Sequence, residues 1–196
     1  DSSREILTYF FKKKRLSVTV WNKLYDISFL RKENICCIPT HINEDALFSV
    51  KLFLRAKSCR LLSDITLHYH IYNNSFNQAN KINWTYEYII QICEIVEHYF
   101  QLLSNEYNRY KRGLFITWLL KYIMYLIIKI QKSTMITPDD KKNFISGISR
   151  IPINLNDVKY LFLNIDSSLF LFGTLMIFPY KMRIFLLMSV YKIRHI

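Results

Sequence analysis

Glycine is scarce in this chain, with 3 among 196 residues. A phosphate-binding loop needs glycines, because backbone N–H groups must approach the phosphate closely. Neither GxGxxG nor a P-loop occurs, so nucleotide sites of those two kinds are excluded. Acidic residues are also few, 15 against 27 lysines and arginines, for a formal net charge of +12. That imbalance favours an anionic partner: nucleic acid, phospholipid head groups or a phosphorylated substrate. The four cysteines are Cys36, Cys37, Cys59 and Cys93. Two of them are adjacent and no CxxC spacing exists. A structural zinc site and a disulfide framework are therefore not expected, and buried thiols in a reducing compartment are the plain reading. No secretory signal is visible in the polar Asp1–Arg4 start, so the N-x-S/T patterns at Asn73 and Asn83 carry little weight. No initiator Met is present, and a trimmed, processed or fragmentary chain is expected.

Hydrophobic residues make up 51% of the chain, enough for a real core in one domain or one and a part. Glu5 to Phe11 reads as a helix end, closed by Lys12-Lys13-Lys14-Arg15. That run could touch a phosphate, or could simply be a solvated helix end where cations suit the dipole. Ser17 to Trp21 alternates and predicts a strand. Asp26 predicts the cap of a short helix through Leu30. Ile35 to Ile38 predicts a buried strand that ends at Pro39.

Glu44 to Ala56 has helical apolar spacing at Leu47, Phe48, Val50, Leu52, Phe53 and Leu54. Glu44 and Asp45 stand in its first turn, where backbone N–H groups favour carboxylates and should keep Asp45 ionised. Such a carboxylate can act as a base, and it is equally a normal helix-start residue. Arg60–Leu62 and Ile65–Tyr72 predict two short strands. His68 and His70 would share one face of the second, but no third ligand for a metal is evident.

From about residue 83 the pattern turns helical. Trp84 to Leu103 predicts a long helix. Leu114 to Ile130 is nearly all apolar, but Lys121 sits inside it. A buried or membrane-surface helix suits it better than a spanning one. Thr137-Pro138 is a helix start, with Thr as N-cap and Pro at the first position. Asp157–Leu163 predicts one more short helix. Ser168 to Ile196 could lie on a bilayer or fill the core of a bundle.

Three stretches, in order, resemble the acceptor-side half of a family-two glycosyltransferase of the GT-A fold. They are Trp21-Asn22-Lys23-Leu24-Tyr25, then Glu44-Asp45-Ala46-Leu47-Phe48, then Asp64 with Tyr69 to Asn74-Ser75. The resemblance covers about 60 residues of the chain. It implies an α/β fold class: a partial GT-A-like mixed sheet over residues 1–82, followed by a mostly α-helical region over 83–196 that could associate with a membrane. It also implies inverting transfer of a sugar from a nucleotide-diphosphate donor to an acceptor hydroxyl, in cell-surface polysaccharide or lipopolysaccharide assembly. One carboxylate suffices to take the hydroxyl proton. By resemblance, Asp45 is that base and Glu44 orients it or the acceptor. Trp21 would stack on a sugar face, unless it is a plain core residue, and Asn22 and Lys23 would add polar contacts.

Two departures qualify what the resemblance implies. The family holds a divalent cation, Mn or Mg, with Asp-x-Asp in a first βαβ half, and this sequence contains no Asp-x-Asp. The main cation ligands are therefore not in this chain, which resembles a fragment without the donor-binding half and is not expected to be active alone. The strand's usual Tyr and then Arg are His70 and Ile71 here, so His70 or Arg60 would have to make the diphosphate contact. The expected partners are a nucleotide-sugar donor and a glycan or lipid-linked acceptor, at the inner face of the cell membrane. Charge and aromatics also permit a non-catalytic basic helical protein that binds a membrane or nucleic acid. Nucleic acid fits less well, because the cations are scattered and no reader motif is present. A degenerate gene remnant would carry the same sequence.

Overall fold

The computed structural model describes residues 3–13, 16–40, 42–62, 68, 84–154 and 156–157. Every regular element among them is helical. Helix α1 (Ser3–Leu7) runs into a π-helical turn, Thr8–Lys12. Helix α2 (Ile27–Lys32) and helix α3 (Glu44–Arg55) follow. Helices α4 (Tyr86–Ser104), α5 (Arg109–Lys132) and α6 (Pro138–Ile148) complete the order.

Local chemistry accounts for four of the starts. The Asp26 carboxylate accepts from the N–H groups of Ser28 and Phe29, as a cap should. Thr85, Asn108 and Thr137 cap α4, α5 and α6 in the same way, and Pro138 opens α6. The π turn also has a local cause. The Thr8 hydroxyl donates to the Arg4 carbonyl at 2.8 Å, and Lys13 N–H reaches back five residues to Thr8 O. A hydroxyl in the helix ladder loosens it, and the wider turn lets Phe10 and Phe11 both enter the core.

The core is one cluster. It joins Ile6, Phe10, Leu47 and Phe53 to Ile92, Tyr99, Phe115, Leu119 and Ile145. Helix α5 passes through its centre and packs against α1, the π turn, α4 and α6. Only four residues link α4 to α5, so the two form an antiparallel hairpin. Buried Ile89, Ile92, Val96, Tyr99 and Leu103 line one face of α4, at spacings of three and four. Helix α5 is long and apolar enough to cross a membrane, but most of it is covered by the other helices.

The α/β expectation is corrected here. No strand occurs among the described residues, so the partial GT-A-like mixed sheet is not formed by them. Ser17–Trp21 is a bent segment whose polar side chains bond within it: the Ser17 hydroxyl meets that of Thr19 at 2.9 Å, and Thr19 donates to Asn22 at 3.0 Å. Such local bonds compete with a ladder. Ile35–Ile38 buries only Ile35 fully and leaves Cys36 and Cys37 exposed, so it lacks the two-sided burial of a central strand. Exposed Cys36 and Cys37 also correct the expectation of buried thiols. Cys93 does lie in an apolar setting, and burial pushes its thiol up to about 11. Arg60–Leu62 is exposed and irregular. The strand expected at Ile65–Tyr72, apart from His68, lies outside the described residues, as do residues 158–163 of the next short helix and the tail from Ser168.

A buried ion pair closes one end of the bundle. Arg112 Nε and Nη2 meet both carboxylate oxygens of Asp157 at 2.7 and 2.8 Å. Nη2 also donates to Pro152 O at 2.8 Å, and Nη1 donates to Leu103 O. Asp157 in turn accepts from Asn154 N–H at 2.9 Å. The guanidinium thus ties the end of α4 and the start of α5 to the segment after α6. We expect Arg112→Ala to cost about 3–5 kcal/mol, because it strands a buried carboxylate. Urea unfolding measures this, and a loss below about 1 kcal/mol would show that the bundle end closes without the pair.

Candidate functional site

Two of the three resembling stretches lie within the described residues, and the fold puts them side by side. The Trp21–Tyr25 loop is pinned to α3 at two points. Ser49, fully buried, donates to Val18 O at 2.6 Å. The Tyr25 ring packs edge-on against Phe48, with centroids 5.4 Å apart, and its hydroxyl donates to Val20 O at 2.9 Å. Lys23 is folded inward by bonds to Thr19 O and to Asn22 Oδ1, the latter at 2.7 Å.

Glu44 and Asp45 open α3 beside this loop. The residue before them, Asn43, is left-handed, with φ of 55°, a conformation that Asn tolerates better than most residues. Its side chain therefore does not cap the helix. It reaches α5 instead, where Asn43 Nδ2 donates to the Tyr122 hydroxyl at 3.1 Å. Asp45 takes over part of the cap, and its Oδ1 accepts from Ala46 N–H at 2.6 Å.

The electrostatics differ from the sequence expectation in one respect. Burial raises the Asp45 pKa, and repulsion from Glu44 adds to the rise. Hydrogen bonds from Ala46 and from its own backbone, with the Lys23 charge, oppose the rise without cancelling it. The helix mouth alone would have lowered it. Lys23 is shifted down by burial, against the pull of Asp45 and Cys59. Tyr99 stands within electrostatic reach of the carboxylate, and Tyr122 packs edge-on against Tyr99. Burial holds Tyr99 well above the ordinary tyrosine range, with Tyr122 and Asp45 adding to it, and Tyr122 is raised mainly by burial as well. Both are neutral donors at any physiological pH.

The structure thus brings Asn22, Lys23, Glu44 and Asp45 together. Trp21 stands beside them on the loop, 51% exposed, which rules out the plain core reading. His70 lies outside the described residues. The sequence reading missed Asn43, Tyr99 and Tyr122, because the partners of α3 come from helices more than 40 residues further along. No family model matches the chain, and no curated protein or solved structure matches it either. Among the described residues no three His, Cys, Asp or Glu side chains converge on a point. The pair Glu44–Asp45 with its neighbours therefore does not fit the divalent cation that the resemblance implied.

The raised Asp45 pKa has a testable sign. The native state binds this proton more readily than the unfolded chain does. Stability should therefore fall as pH rises from about 3.9, the unfolded value, through the raised native value. Asp45→Asn keeps an acceptor for Ala46 N–H and removes the charge. Its Tm should match or exceed that of the wild type at pH 7, with the gap closing below about pH 4. A lower Tm at pH 7 would make Asp45 a stabilising helix-start residue and nothing more.

Proposed function

We propose that this chain is the acceptor-side part of an inverting glycosyltransferase. It would serve the transfer of a sugar from a nucleotide-diphosphate donor to an acceptor hydroxyl in cell-surface polysaccharide or lipopolysaccharide assembly. One observation carries the proposal: the Asn22–Lys23 loop and the Glu44–Asp45 helix mouth, some twenty residues apart in sequence, are held against each other around a half-buried carboxylate. The reading rests on that constellation and needs no sheet from the described residues.

The chemistry asks little of the protein at the acceptor. The attacking hydroxyl must shed its proton as its oxygen reaches the anomeric carbon, and the diphosphate leaves from the opposite side. Asp45 accepts the proton. A carboxylate offers about four lone-pair sites, so two backbone donors leave room for the hydroxyl. A pKa raised by burial brings the base closer to the working pH and strengthens it. Lys23 then limits the cost of the buried negative charge. Glu44 orients the acceptor, and Trp21, 51% exposed, contacts a sugar ring. Asn22 adds a polar contact at the loop, and His70 contacts the donor. On this reading the main cation ligands come from outside residues 1–196, so the chain alone does not turn over. A lipid-linked acceptor would place the protein at the cytoplasmic face of the membrane as a peripheral protein.

The test is transfer of radiolabelled sugar by the protein isolated from its source, with a panel of nucleotide-diphosphate sugars and glycan acceptors. Asp45→Asn should lower turnover ~10²-fold or more while KM for the acceptor stays within a few-fold. Near-normal turnover would remove Asp45 from the chemistry. Transfer by residues 1–196 alone would overturn the division of labour proposed here.

A further inference from the structure

A groove of about 380 Å³ opens between the end of the π turn and helix α5. Its lining includes Lys12, Thr117, Trp118, Lys121, Tyr122 and Tyr125. The positions 118, 122 and 125 share one stripe of α5. Trp118 and Tyr122 are parallel to within 8°, with centroids 5.6 Å apart, so they form a stepped aromatic wall. Lys12 and Lys121 stand on the rim, both exposed, and no carboxylate of a described residue lines the groove. Neither ammonium is in an ion pair with a described residue. Lys129, outside the lining, stands 5.5 Å over the Tyr125 ring.

We propose that this groove binds one acidic sugar unit, a ring that carries a carboxylate or a phosphate. The aromatic wall suits the C–H face of a pyranose. The Tyr125 hydroxyl can meet a ring hydroxyl, the Thr117 hydroxyl, which donates to Gly113 O, can accept from one, and the two lysines meet the anion. A nucleotide diphosphate fits less well, because the lining offers no glycine loop and no helix N-terminus to cradle it. A nucleic-acid strand would need a track of such sites, and this is one short groove. The choice of a saccharide rests on the transferase reading; one hydrogen bond links the groove to the start of the helix that carries the candidate base. Tyr122 lines the groove and also receives the Asn43 bond at the mouth of α3.

Calorimetric titration of the full chain with trigalacturonate, mannose 6-phosphate and maltotriose tests this at 150 mM salt. One of the two charged probes should bind about tenfold or more tighter than neutral maltotriose, and Lys121→Gln should lose that preference. Lys121 is exposed, so this variant should fold; near-ultraviolet circular dichroism confirms that it does. Which charged probe binds decides between carboxylate and phosphate. Equal binding of charged and neutral probes, or unchanged affinity in Lys121→Gln, overturns the proposal. So does binding of oligouridylate alone, which would make the groove a nucleic-acid contact. Asp45→Asn should bind the charged probe like the wild type. If Asp45→Asn abolishes transfer while Lys121→Gln binds normally, the groove inference fails and the transferase reading stands. If Lys121→Gln loses binding while Asp45→Asn transfers normally, the groove stands and the role of Asp45 fails.

Discussion

The rest of the fold answers to the need to cover helix α5. Its 24 residues present apolar side chains on most sides, so one partner helix cannot bury it. The π turn, α4 and α6 each take a face, and Phe11, Tyr99, Phe115 and Trp118 interlock where they meet. Edge-on aromatic contacts of this sort fix ring orientation as well as burying area. Everything near the candidate site inherits that rigidity. Tyr122 belongs to α5, Asn43 is bonded to Tyr122, and Asn43 sets the entry of α3 on which Asp45 sits.

Much of this was legible in the chain, and the failures share one cause. Helix starts at Asp26 and Thr137 were written in local chemistry, because a cap depends on residues within three positions of it. The long helices followed from their apolar period. The strands failed because a strand is a statement about a neighbour, and alternation at Ser17–Trp21 does not reveal whether one exists. There the side-chain hydroxyls bond within the segment, and Ser49 anchors it from 31 residues further along the chain. The same limit applies at the site. Asn22, Lys23, Glu44 and Asp45 could be named from short motifs. Their meeting with Tyr99 and Tyr122 could not, nor could the reversal of the expected Asp45 shift, because desolvation depends on which groups pack behind the carboxylate.

The site and the bundle are therefore differently built. Arg112 and Asp157 are a closed arrangement, with the guanidinium fork directed at a carboxylate and at carbonyls. Such an arrangement holds a geometry and has nothing left to offer a ligand. Asp45 is the opposite case. It is desolvated, crowded by Glu44 and only partly compensated by Lys23. A carboxylate kept in that condition costs the fold stability, and groups perturbed in this way concentrate at functional sites.

The π turn at Thr8–Lys12 has a consequence for inheritance. A π turn is an α-helix that carries one residue more than its turn requires, so it can be gained or lost by a single codon insertion or deletion. Loss of one residue there would rotate the preceding helix by about 100° relative to the chain beyond the turn. Either Phe10 and Phe11 would keep their places in the core and the helix before them would turn, or the helix would stay and Lys12 would swing off the rim of the groove. A single-codon insertion or deletion can thus retune the charge of that groove without a substitution at any residue that lines it.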